Sequence, residues 1–370
     1  MDKISVLYIV GNTMLRGGTE AFIMNYYRHI NHDKIQIDFI YQGDDDGVYD
    51  KELLDNGSKI YHVPFKSKSP IRFSKDVKRI LKEGNYQVIH SQMDAMGCWP
   101  LAIAKNVGVP MRIAHSHNTK HQTNNPIKLM LNDIAKLLLR KYATDYYACG
   151  YDAGLFMFGK KLMEQSKVQL IHNAIELDKY AYSDLKRNKI RKEFGIENEI
   201  VIGHIGQFRE QKNHKKIIEI FTEIVKSDNN VKLMLVGDGP LKSNIQSLAK
   251  KNSVLDKVIF TGSRDDVSDI LNAFDVFLFP SLFEGLGIVA IESQANGLPT
   301  VVSDVIPNEA MITDIIMKVD LNADSFVWKN AVYRAMKIGR KDERHKLTEA
   351  GYDIVTEANK LEERYLNKVK

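Results

Sequence analysis

Two glutamates flank a short glycine-bearing turn in the stretch FPSLFEGLGIVAIESQANGLPTVVSD, residues 279–304. Glu284 precedes the turn, and Glu292 lies on the helix predicted to follow it; an apolar strand is predicted just before, over 276–279. A carboxylate offers several hydrogen-bond acceptors to sugar hydroxyls. A helix N-terminus offers unpaired backbone N–H groups and a partial positive charge to phosphate. The stretch therefore predicts a site that binds a sugar and a diphosphate together.

A pair of cations follows the first predicted strand of the C-terminal half, in the segment GHIGQFREQKNHKKIIE. The strand is predicted to end at Gly206 and the next helix to begin near Asn213 or His214, which leaves Arg209 and Lys212 in the loop. Cations at the carboxyl end of a strand can neutralise a diphosphate and support its departure as a leaving group. The alternative is two exposed cations on a solvated loop; the two glutamates in the same half favour the ligand role.

Two adjacent glycines, Gly17 and Gly18, lie between the first predicted strand and a helix predicted over 19–28. Without side chains they let a ligand approach the backbone, and the helix start beyond them favours an anion. The segment GNTMLRGGTE matches neither GxGxxG nor GxxxxGK[ST], which argues against a dinucleotide fingerprint and a Walker loop. A glycine pair taken alone is more often a simple turn, and the position after the first strand strengthens the case for a ligand role.

The segment RIAHSHNTKH places His115 and His117 at the end of a predicted strand. We expect the two side chains on opposite faces, an arrangement unsuited to sharing a metal. Because no second cluster of ligands accompanies them, we predict no metal site. His117 at the rim of a cleft can hydrogen-bond a sugar hydroxyl, with a purely structural histidine as the alternative.

Two further glycine turns follow strands of the C-terminal half. In VGDGP, Gly237 and Gly239 permit unusual backbone angles and Pro240 can start a helix. Chain reversal explains this turn at least as well as a ligand role. The same holds for the turn at Gly262, whose backbone could also meet a nucleobase.

Apolar runs rich in β-branched residues alternate with helical patterns along the chain. Strands are predicted at 4–10, 35–41, 88–90, 112–115 and 146–149, and again at 200–204, 231–236, 257–260, 276–279 and 300–302. This alternation implies parallel sheets covered on both faces. The predicted fold class is α/β, with two doubly wound, Rossmann-like parallel-sheet domains facing a cleft. Ligands of such sheets bind outside the carboxyl ends of the strands.

The length of 370 residues exceeds one ordinary core and suggests two domains. We predict an N-terminal domain over 1–178 and a C-terminal domain over 179–351. A charged amphipathic helix over 352–370 is predicted to pack back on the N-terminal domain. The charged stretch 180–198 is interpreted as a linker plus the first helix of the C-terminal domain.

The composition is that of a globular protein, with 44% hydrophobic and 27% charged residues. A net charge of +5 without an arginine-rich tract argues against nucleic acid as a partner. Cys98 and Cys149 lack CxxC spacing, which favours a reduced, cytoplasmic protein without disulfides or a thiolate metal site. The N-terminus predicts a strand rather than a signal peptide. The sequence contains no run of about 18 uncharged apolar residues, so no membrane span is predicted.

A basic run, residues 66–82, precedes an apolar helix predicted over 126–142, which itself carries Lys128, Lys136, Arg140 and Lys141. Basic clusters beside exposed apolar side chains suit an anionic membrane surface. A solvated face and an ordinary core helix explain the pattern equally well. Peripheral contact with the inner face of the cell membrane is thus one of two interpretations.

Taken in order, GGTE, HSHN, IHNAIE, GQFREQKNH, VGDGP and EGLGIVAIE resemble the retaining glycosyltransferase family four, which has the two-Rossmann GT-B fold. Within it, the chain looks like members that build bacterial capsular polysaccharide and exopolysaccharide. The resemblance covers nearly the whole chain, and its most specific element is the E-x7-E motif from Glu284 to Glu292. It implies transfer of a sugar from a nucleotide donor, expected to be UDP-linked, to a glycan or a polyprenyl-diphosphate-linked acceptor, without a metal or other cofactor.

The resemblance also implies roles for single residues. Glu292 binds the ribose of the nucleotide, and Glu284 contacts the donor sugar. Lys212 and Gly18 bind the diphosphate, and His117 lies near the donor sugar. The backbone amides that meet sugar and phosphate are those of Gly285, Leu286 and Gly287.

The chain departs from the family at two positions. The family usually has arginine where this chain has Gln207, and we hypothesise that Arg209 supplies that charge instead. Leu286 stands where phenylalanine is common. The resemblance further implies front-face attack, in which the leaving phosphate takes the acceptor proton; enzyme groups then contribute positioning and electrostatic support.

Three other functions are weighed against glycosyl transfer. A nucleotide-sugar epimerase on the same two-domain scaffold is the main alternative, but it needs an acid and a base around the sugar, and only His117 is a clear candidate. A non-catalytic nucleotide-sugar sensor is disfavoured by the presence of Glu284, Glu292 and Lys212. An NAD-dependent dehydrogenase is disfavoured because the glycine fingerprint is missing.

Overall fold

The computed structural model describes residues 3–15, 17–121 and 123–369. Five residues lie outside the described ones: Met1, Asp2, Arg16 of the GNTMLRGGTE segment, Gln122 and Lys370, the last residue of the predicted C-terminal helix. The chain divides into two compact units, one of residues 1–174 with 354–370 and one of residues 175–353.

The first unit contains a seven-stranded sheet in the order β3-β2-β1-β4-β5-β6-β7, and its neighbouring strands all pair in parallel. Its strands are β1 (Ile4–Ile9), β2 (Ile35–Gln42), β3 (Ile60–Val63), β4 (Val88–Ser91), β5 (Met111–Ser116), β6 (Asp145–Ala148) and β7 (Val168–Leu170). Its helices are α1 (Gly18–His29), α2 (Asp50–Asp55), α3 (Pro70–Glu83), α4 (Cys98–Val107), α5 (Pro126–Tyr142), α6 (Tyr151–Phe158), α7 (Lys160–Glu164) and, from the C-terminus, α16 (Ile354–Val369).

The second unit contains a six-stranded parallel sheet in the order β10-β9-β8-β11-β12-β13. Its strands are β8 (Ile200–Ile205), β9 (Val231–Val236), β10 (Val258–Gly262), β11 (Val276–Phe279), β12 (Thr300–Ser303) and β13 (Ile316–Val319). Its helices are α8 (Leu177–Tyr180), α9 (Asp184–Phe194), α10 (His214–Val225), α11 (Lys242–Lys251), α12 (Val267–Ile270), α13 (Ile288–Ala295), α14 (Ser325–Ile338) and α15 (Arg344–Glu349).

Each sheet is buried on both faces. Successive residues of a strand point to opposite sides of a sheet, and here both sets are buried. In β1, Val6 and Tyr8 pack into a core with α1 and α16, while Leu7 and Ile9 pack into another with α3, α4 and α6. The second sheet likewise separates two clusters of buried apolar residues. The predicted fold class of two doubly wound α/β domains is confirmed.

The unit boundaries differ by a few residues from the predicted ends at 178 and 351. Ile175 and Leu177 are buried in a core of the second unit, and so is Tyr352. The stretch 180–198 contains a helix of the second unit, α9, as predicted, but α8 precedes that helix and the rest of the stretch belongs to the same unit rather than to a linker. Arg187 and Arg191 of α9 both pair with Asp275, at 2.6 and 2.7 Å, which fixes that stretch against the second sheet.

Candidate functional site

The centre of the site is an ion pair at the carboxyl end of the second sheet. Lys212 ends a short 3-10 turn after β8, and Glu284 lies in the loop after β11. The Nζ atom of Lys212 lies 2.7 Å from Oε1 of Glu284, and the side chains are only 19% and 7% exposed. Gln211 donates from Nε2 to the other carboxylate oxygen at 3.2 Å. The structure therefore brings these two predicted site residues together.

Hydrogen bonds to backbone carbonyls hold the two loops together. The amide of Leu282 donates to the carbonyl of Gln211 at 2.8 Å, and Nδ2 of Asn213 donates to the carbonyl of Pro280 at 3.0 Å. Asn213 has a φ of 53°, a left-handed conformation that asparagine tolerates and that turns the chain into α10. Nζ of Lys212 also lies 4.9 Å from the centre of the Phe279 ring. The ammonium position is thus fixed by the fold.

β8 and β11 are adjacent strands, but their connections run to opposite sides of the sheet order. β8 continues to β9 on one flank, whereas β11 continues to β12 on the other. Such a switch point leaves a crevice at the carboxyl ends of the two strands, which is where ligands of open α/β sheets bind. Lys212 and Glu284 both lie at this switch point.

Glu292 lies on α13, two turns beyond Glu284, and its Oε1 accepts a hydrogen bond from the Tyr180 hydroxyl at 2.8 Å. Burial raises the pKa of the Glu292 carboxyl, and the Tyr180 hydrogen bond and the charges of Lys179 and Lys212 partly offset this rise. Burial, and then Glu292 itself, raises the pKa of Tyr180. Sequence reasoning missed Tyr180, because it lies in the stretch interpreted as a linker and carries no motif.

Gly287 allows the turn between the two glutamates. It precedes α13 with φ 80° and ψ 59°, a left-handed conformation that favours glycine. Gly285 has open space where a side chain would stand, while Leu286 packs partly against the core. The N-terminal amides of α13 therefore follow directly on the Glu284 loop, as the sequence predicts.

The glycine turns after β8, β9 and β10 pack on one another. A Cβ at Gly237 would lie 2.2 Å from the carbonyl oxygen of Gly206, and a Cβ at Gly239 would lie 2.8 Å from the backbone of Phe208. The amide of Gly237 donates to the carbonyl of Gly262 at 2.9 Å. The VGDGP turn thus needs glycine for close loop contact, which supplies a structural reason beyond chain reversal. The nucleobase contact at Gly262 stays a prediction.

Arg209 and Gln207 both have exposed side chains in the loop before Lys212. Arg209 caps the 3-10 turn Glu210–Lys212, and its guanidinium has no ion-pair partner among residues 3–15, 17–121 and 123–369. The structure thus leaves a cation beside the turn that carries Lys212. Whether it replaces the usual arginine stays a hypothesis.

Two buried histidines support the Lys212 loop, and sequence reasoning missed them. His204 of β8 and His214 of α10 meet edge to face at 4.8 Å, and His214 stacks on Phe208 at 4.1 Å. Burial, with the charge of Lys212 added, lowers the pKa of His214 to about 4. Burial likewise lowers the pKa of His204 well below its usual value. Both rings are therefore neutral near pH 7.

The remaining predicted site residues belong to the first unit. Gly17 precedes α1, and a Cβ built on Gly17 would lie 2.3 Å from Oε2 of Glu20. Gly18 is the first residue of the helix and has open space at its Cβ position. His117 follows β5 and bonds through Nε2 to Oε1 of Gln92 at 2.6 Å. Burial lowers the pKa of His117 to about 4, so the neutral ring donates from Nε2 to the amide oxygen. Gln92 was not predicted.

The expectation that His115 and His117 diverge is wrong. Residues two apart in a strand share a face, and the two rings stack with centroids 4.4 Å apart. Nδ1 of His115 in turn lies 2.9 Å from Nε2 of His90. Within the part of the chain that the structure describes, no group of three or more His, Cys, Asp or Glu side chains is arranged to hold a metal ion.

A cavity of about 390 Å³ opens beside His117's partner Gln92, at the carboxyl ends of β1, β2 and β4. Lys66 and Phe65 line one side of it, and Gly11 and Glu20 line another. Burial lowers the pKa of Lys66 to about 8, and its Nζ donates to the carbonyl of Met96 at 3.1 Å. This cavity lies at the switch point of the first sheet, between β1 and β4.

Comparison with known proteins identifies the family. Residues 16–179 match the family described as Glycosyltransferase Family 4, and residues 186–353 match Glycosyl transferases group 1. The chain is 34% identical over 357 residues to a Bacillus subtilis protein named glycosyltransferase EpsF, covering 94% of this chain and 92% of that one. The chain belongs to this glycosyltransferase family of the exopolysaccharide type, has the GT-B fold and is a glycosyltransferase enzyme.

Other relatives agree with this assignment. An Escherichia coli enzyme named UDP-Gal:alpha-D-GlcNAc-diphosphoundecaprenol alpha-1,3-galactosyltransferase is 26% identical over 341 residues, 86% of each chain. A Rickettsia africae glycosyltransferase structure has a TM-score of 0.78 at 16% identity and covers the whole of both chains. HepE of Anabaena in complex with UDP has a TM-score of 0.73 at 16% identity, over 100% of this chain and 97% of that one. These two structures show the shared fold.

The raised pKa of Glu292 predicts how pH affects stability. Between the ordinary value of 4.5 and the raised value, the folded protein binds more protons than the unfolded chain, so stability falls as pH rises through this window. Glu292→Gln keeps an acceptor for Tyr180 and removes the buried charge. We expect it to raise the melting temperature at pH 7, and the gain to disappear at about pH 4.

Calorimetric melts of wild type and variant across this pH range measure the effect. Glu197→Gln, at an exposed position of the same unit, is the matched control and should change nothing. A melting temperature that is unchanged at pH 7, or a gain of equal size at pH 4, would contradict the pKa shift.

Proposed function

We propose that the enzyme transfers a sugar from a UDP-sugar to a lipid-linked glycan, with retention of the anomeric configuration, in the synthesis of a bacterial capsule or exopolysaccharide. The carrying observation is the Lys212–Glu284 pair at the sheet switch point, with Glu292 on the helix that follows. The relatives add support, since one is named for a UDP-galactose donor and a diphosphoundecaprenol acceptor, and HepE was crystallised with UDP.

In this proposal each end of the donor meets a different group of the second unit. Glu292 accepts hydrogen bonds from the ribose hydroxyls, with Tyr180 holding the carboxylate in place. Lys212 has three N–H donors, so it can keep its bond to Glu284 while it also bonds a phosphate oxygen. Glu284 then contacts the sugar next to that phosphate, and the backbone of residues 285–287 completes the cradle.

The proposed reaction is a front-face displacement. The bond from the anomeric carbon to the phosphate oxygen breaks, and the acceptor hydroxyl oxygen bonds to the same face of that carbon. The hydroxyl proton passes to the departing phosphate oxygen. Lys212 stabilises the negative charge that grows on the diphosphate, so fixed cations, rather than a metal ion, supply the electrostatic support.

The first unit supplies the acceptor side in this proposal. The cavity of about 390 Å³ combines the cation of Lys66 with the ring of Phe65, which suits an anionic group next to a sugar ring. The predicted roles of Gly17 and Gly18 at the diphosphate and of His117 near the donor sugar remain part of the proposal. The cytoplasmic location, at the inner face of the membrane, belongs to it as well.

A panel of UDP-sugars with a bacterial lipid-linked glycan extract tests the function through UDP release, with product anomers read by NMR. Lys212→Ala should lower kcat by about 100-fold or more, because it removes charge support that matters most in the transition state. It should change donor affinity less. Lys215→Ala, an exposed lysine three residues away, is the control.

Three results speak against the proposal. Isomerisation of the UDP-sugar without an acceptor would indicate an epimerase. An inverted product would exclude retention. Equal losses in kcat and donor affinity for Lys212→Ala would mean that the lysine binds ground and transition states alike.

Donor binding tests the role of Glu292 separately. Glu292→Ala removes the acceptor pair for the ribose, so calorimetry with UDP should show a loss of about 1.5–3 kcal/mol. Tyr180→Phe should give a smaller loss in the same direction, because it removes only the bond that positions the carboxylate. UDP affinity equal to wild type in Glu292→Ala would remove this residue from the nucleotide site.

A further inference from the structure

A separate cavity of the first unit lies between the sheet and the end of the C-terminal helix, and we call it the α16 cavity. Its volume of about 310 Å³ is near the lower end of the range of about 300–1,000 Å³ that is typical of small-molecule sites. The strands β5–β7 contribute Met111, Asp145, Tyr147 and Gln169 to its lining, and α16 contributes Arg364 and Lys368. Met111 and Asp145 are the first residues of their strands, so the cavity lies at the opposite end of the sheet from His117.

Arg364 is a partly buried cation without a counter-ion. Its Nη1 atom is shielded from solvent and has no hydrogen-bond partner. Within residues 3–15, 17–121 and 123–369, no carboxylate forms an ion pair with its guanidinium. Burying an unpaired charge is unfavourable, and an anion in the cavity would remove that cost.

The second cation of the α16 cavity is already neutralised. Nζ of Lys368 lies 2.5 Å from Oδ1 of Asp145, and Oδ2 of Asp145 accepts a hydrogen bond from the Thr144 hydroxyl at 2.6 Å. Both oxygens of this carboxylate thus have partners of their own. An anion with a single negative charge therefore balances the charge that Arg364 leaves.

Neutral donors lie beside the guanidinium. Tyr147 is only 2% exposed, and its hydroxyl has no hydrogen-bond partner in the described part of the chain. Burial raises the pKa of Tyr147, so the phenol keeps its proton near pH 7. The Arg364 guanidinium lies 5.8 Å from the centre of the Tyr147 ring. Gln169 and Asn367 also line the cavity, and their amides add N–H donors.

A carboxylate fits these groups better than a phosphate does. The planar guanidinium matches the two oxygens of a carboxylate, which gives two parallel hydrogen bonds. A phosphate monoester carries about 1.5 to 2 negative charges near pH 7. Its excess charge would lie near Asp145 and near the C-terminal carbonyl groups of α16, which carry a partial negative charge. Met111 and the ring of Tyr147 offer apolar surface to the rest of the molecule.

From these observations we infer that the α16 cavity binds a small organic acid with one carboxylate, which pairs with Arg364 and acts as an effector of the enzyme. The binding rests on the cavity alone. The effect on sugar transfer rests on the proposed function, in which His117 lies near the donor sugar.

Tyr147 connects the cavity to the rings behind His117. Its ring meets the rings of His90 and His115 edge to face, at 5.5 and 6.0 Å between centroids. Tyr365, also on α16, has its hydroxyl 2.7 Å from Nδ1 of His90. Because His115 stacks on His117, a ligand that restricts Tyr147 also restricts the stack that holds His117.

Isothermal titration calorimetry of the full chain tests the site, with pyruvate, D-glucuronate and D-gluconate as probes and inorganic phosphate for comparison. Wild type should bind at least one of the three carboxylates with a Kd of about 1 mM or lower, and phosphate more weakly. Arg364→Gln removes the charge and the fork, so it should bind that probe about tenfold more weakly or worse. Arg364→Lys keeps only the charge and should fall between the two.

Arg72→Gln, at an exposed position of the first unit, is the matched control and should bind the probe like wild type. Tyr147→Phe keeps the ring and should weaken binding by a smaller factor, about threefold. Melting temperatures check that the variants fold, and Arg364→Gln should melt no lower than wild type because it removes an unpaired charge. UDP should not displace the probe, because its proposed site belongs to the second unit.

UDP release measures the effect on transfer. A saturating probe should raise kcat of wild type by about twofold or more, because a restricted His117 is better positioned, and should leave Arg364→Gln unchanged. A bound probe that leaves kcat of wild type unchanged would overturn the effector role. A complete lack of transferase activity in wild type would defeat the proposed function without touching the binding result.

Four outcomes overturn the binding inference. One is wild type that binds none of the three carboxylates at about 20 mM. Another is Arg364→Gln that binds the probe as tightly as wild type. The third is displacement of the probe by UDP, which would assign the binding to the nucleotide site. The fourth is phosphate that binds more tightly than the carboxylates and depends on Arg364, which would replace the carboxylate as the ligand.

Discussion

The ion pair between Lys212 and Glu284 is the constraint on which the proposed donor site depends. Breaking a largely buried ion pair between a lysine and a carboxylate costs free energy, because each charge would be left buried without a partner. The pair therefore holds its two loops together before any ligand arrives. Gln211, Asn213 and the Phe279 ring restrict the pair further, so the ammonium is already near the place where a diphosphate would bind. Preorganised charge of this kind costs no rearrangement during the reaction.

The fold explains why the pair can form at all. β8 and β11 lie 70 or so residues apart in sequence but side by side in the sheet, and their outgoing connections diverge. Glycine also lets the neighbouring loops pack closely, since Gly237 and Gly239 allow their turn to contact the Gly206–Phe208 loop directly. Beneath the loop, the neutral rings of His204 and His214 fill space without adding a positive charge next to Lys212. The loop that carries Lys212 is thus supported both by the packed glycine turns and by the neutral histidine rings.

Much of this arrangement could be predicted from the sequence, and the reasons differ by element. Central strands such as β9 and β11 are apolar except for Lys232 of β9, and their bounds match the prediction. The strands missed are β3, β7 and β13, which lie at sheet edges, span only three or four residues and each contain a polar residue; the fourth edge strand, β10, was predicted. Glu284, Glu292 and Lys212 were predicted as site residues because motifs mark them. Tyr180 and Gln92 were not, because they act through hydrogen bonds to residues far away in sequence, which spacing does not reveal.

A double-mutant cycle on the central pair is the most direct test of the account. The value of kcat/KM is measured for wild type, Lys212→Met, Glu284→Gln and the double variant with the same UDP-sugar and acceptor. If the two side chains act as one unit, the loss in the double variant is smaller than the sum of the single losses by about 1 kcal/mol or more. Single losses that add to within about 0.5 kcal/mol would show that the pair seen in the structure has no joint role in the reaction.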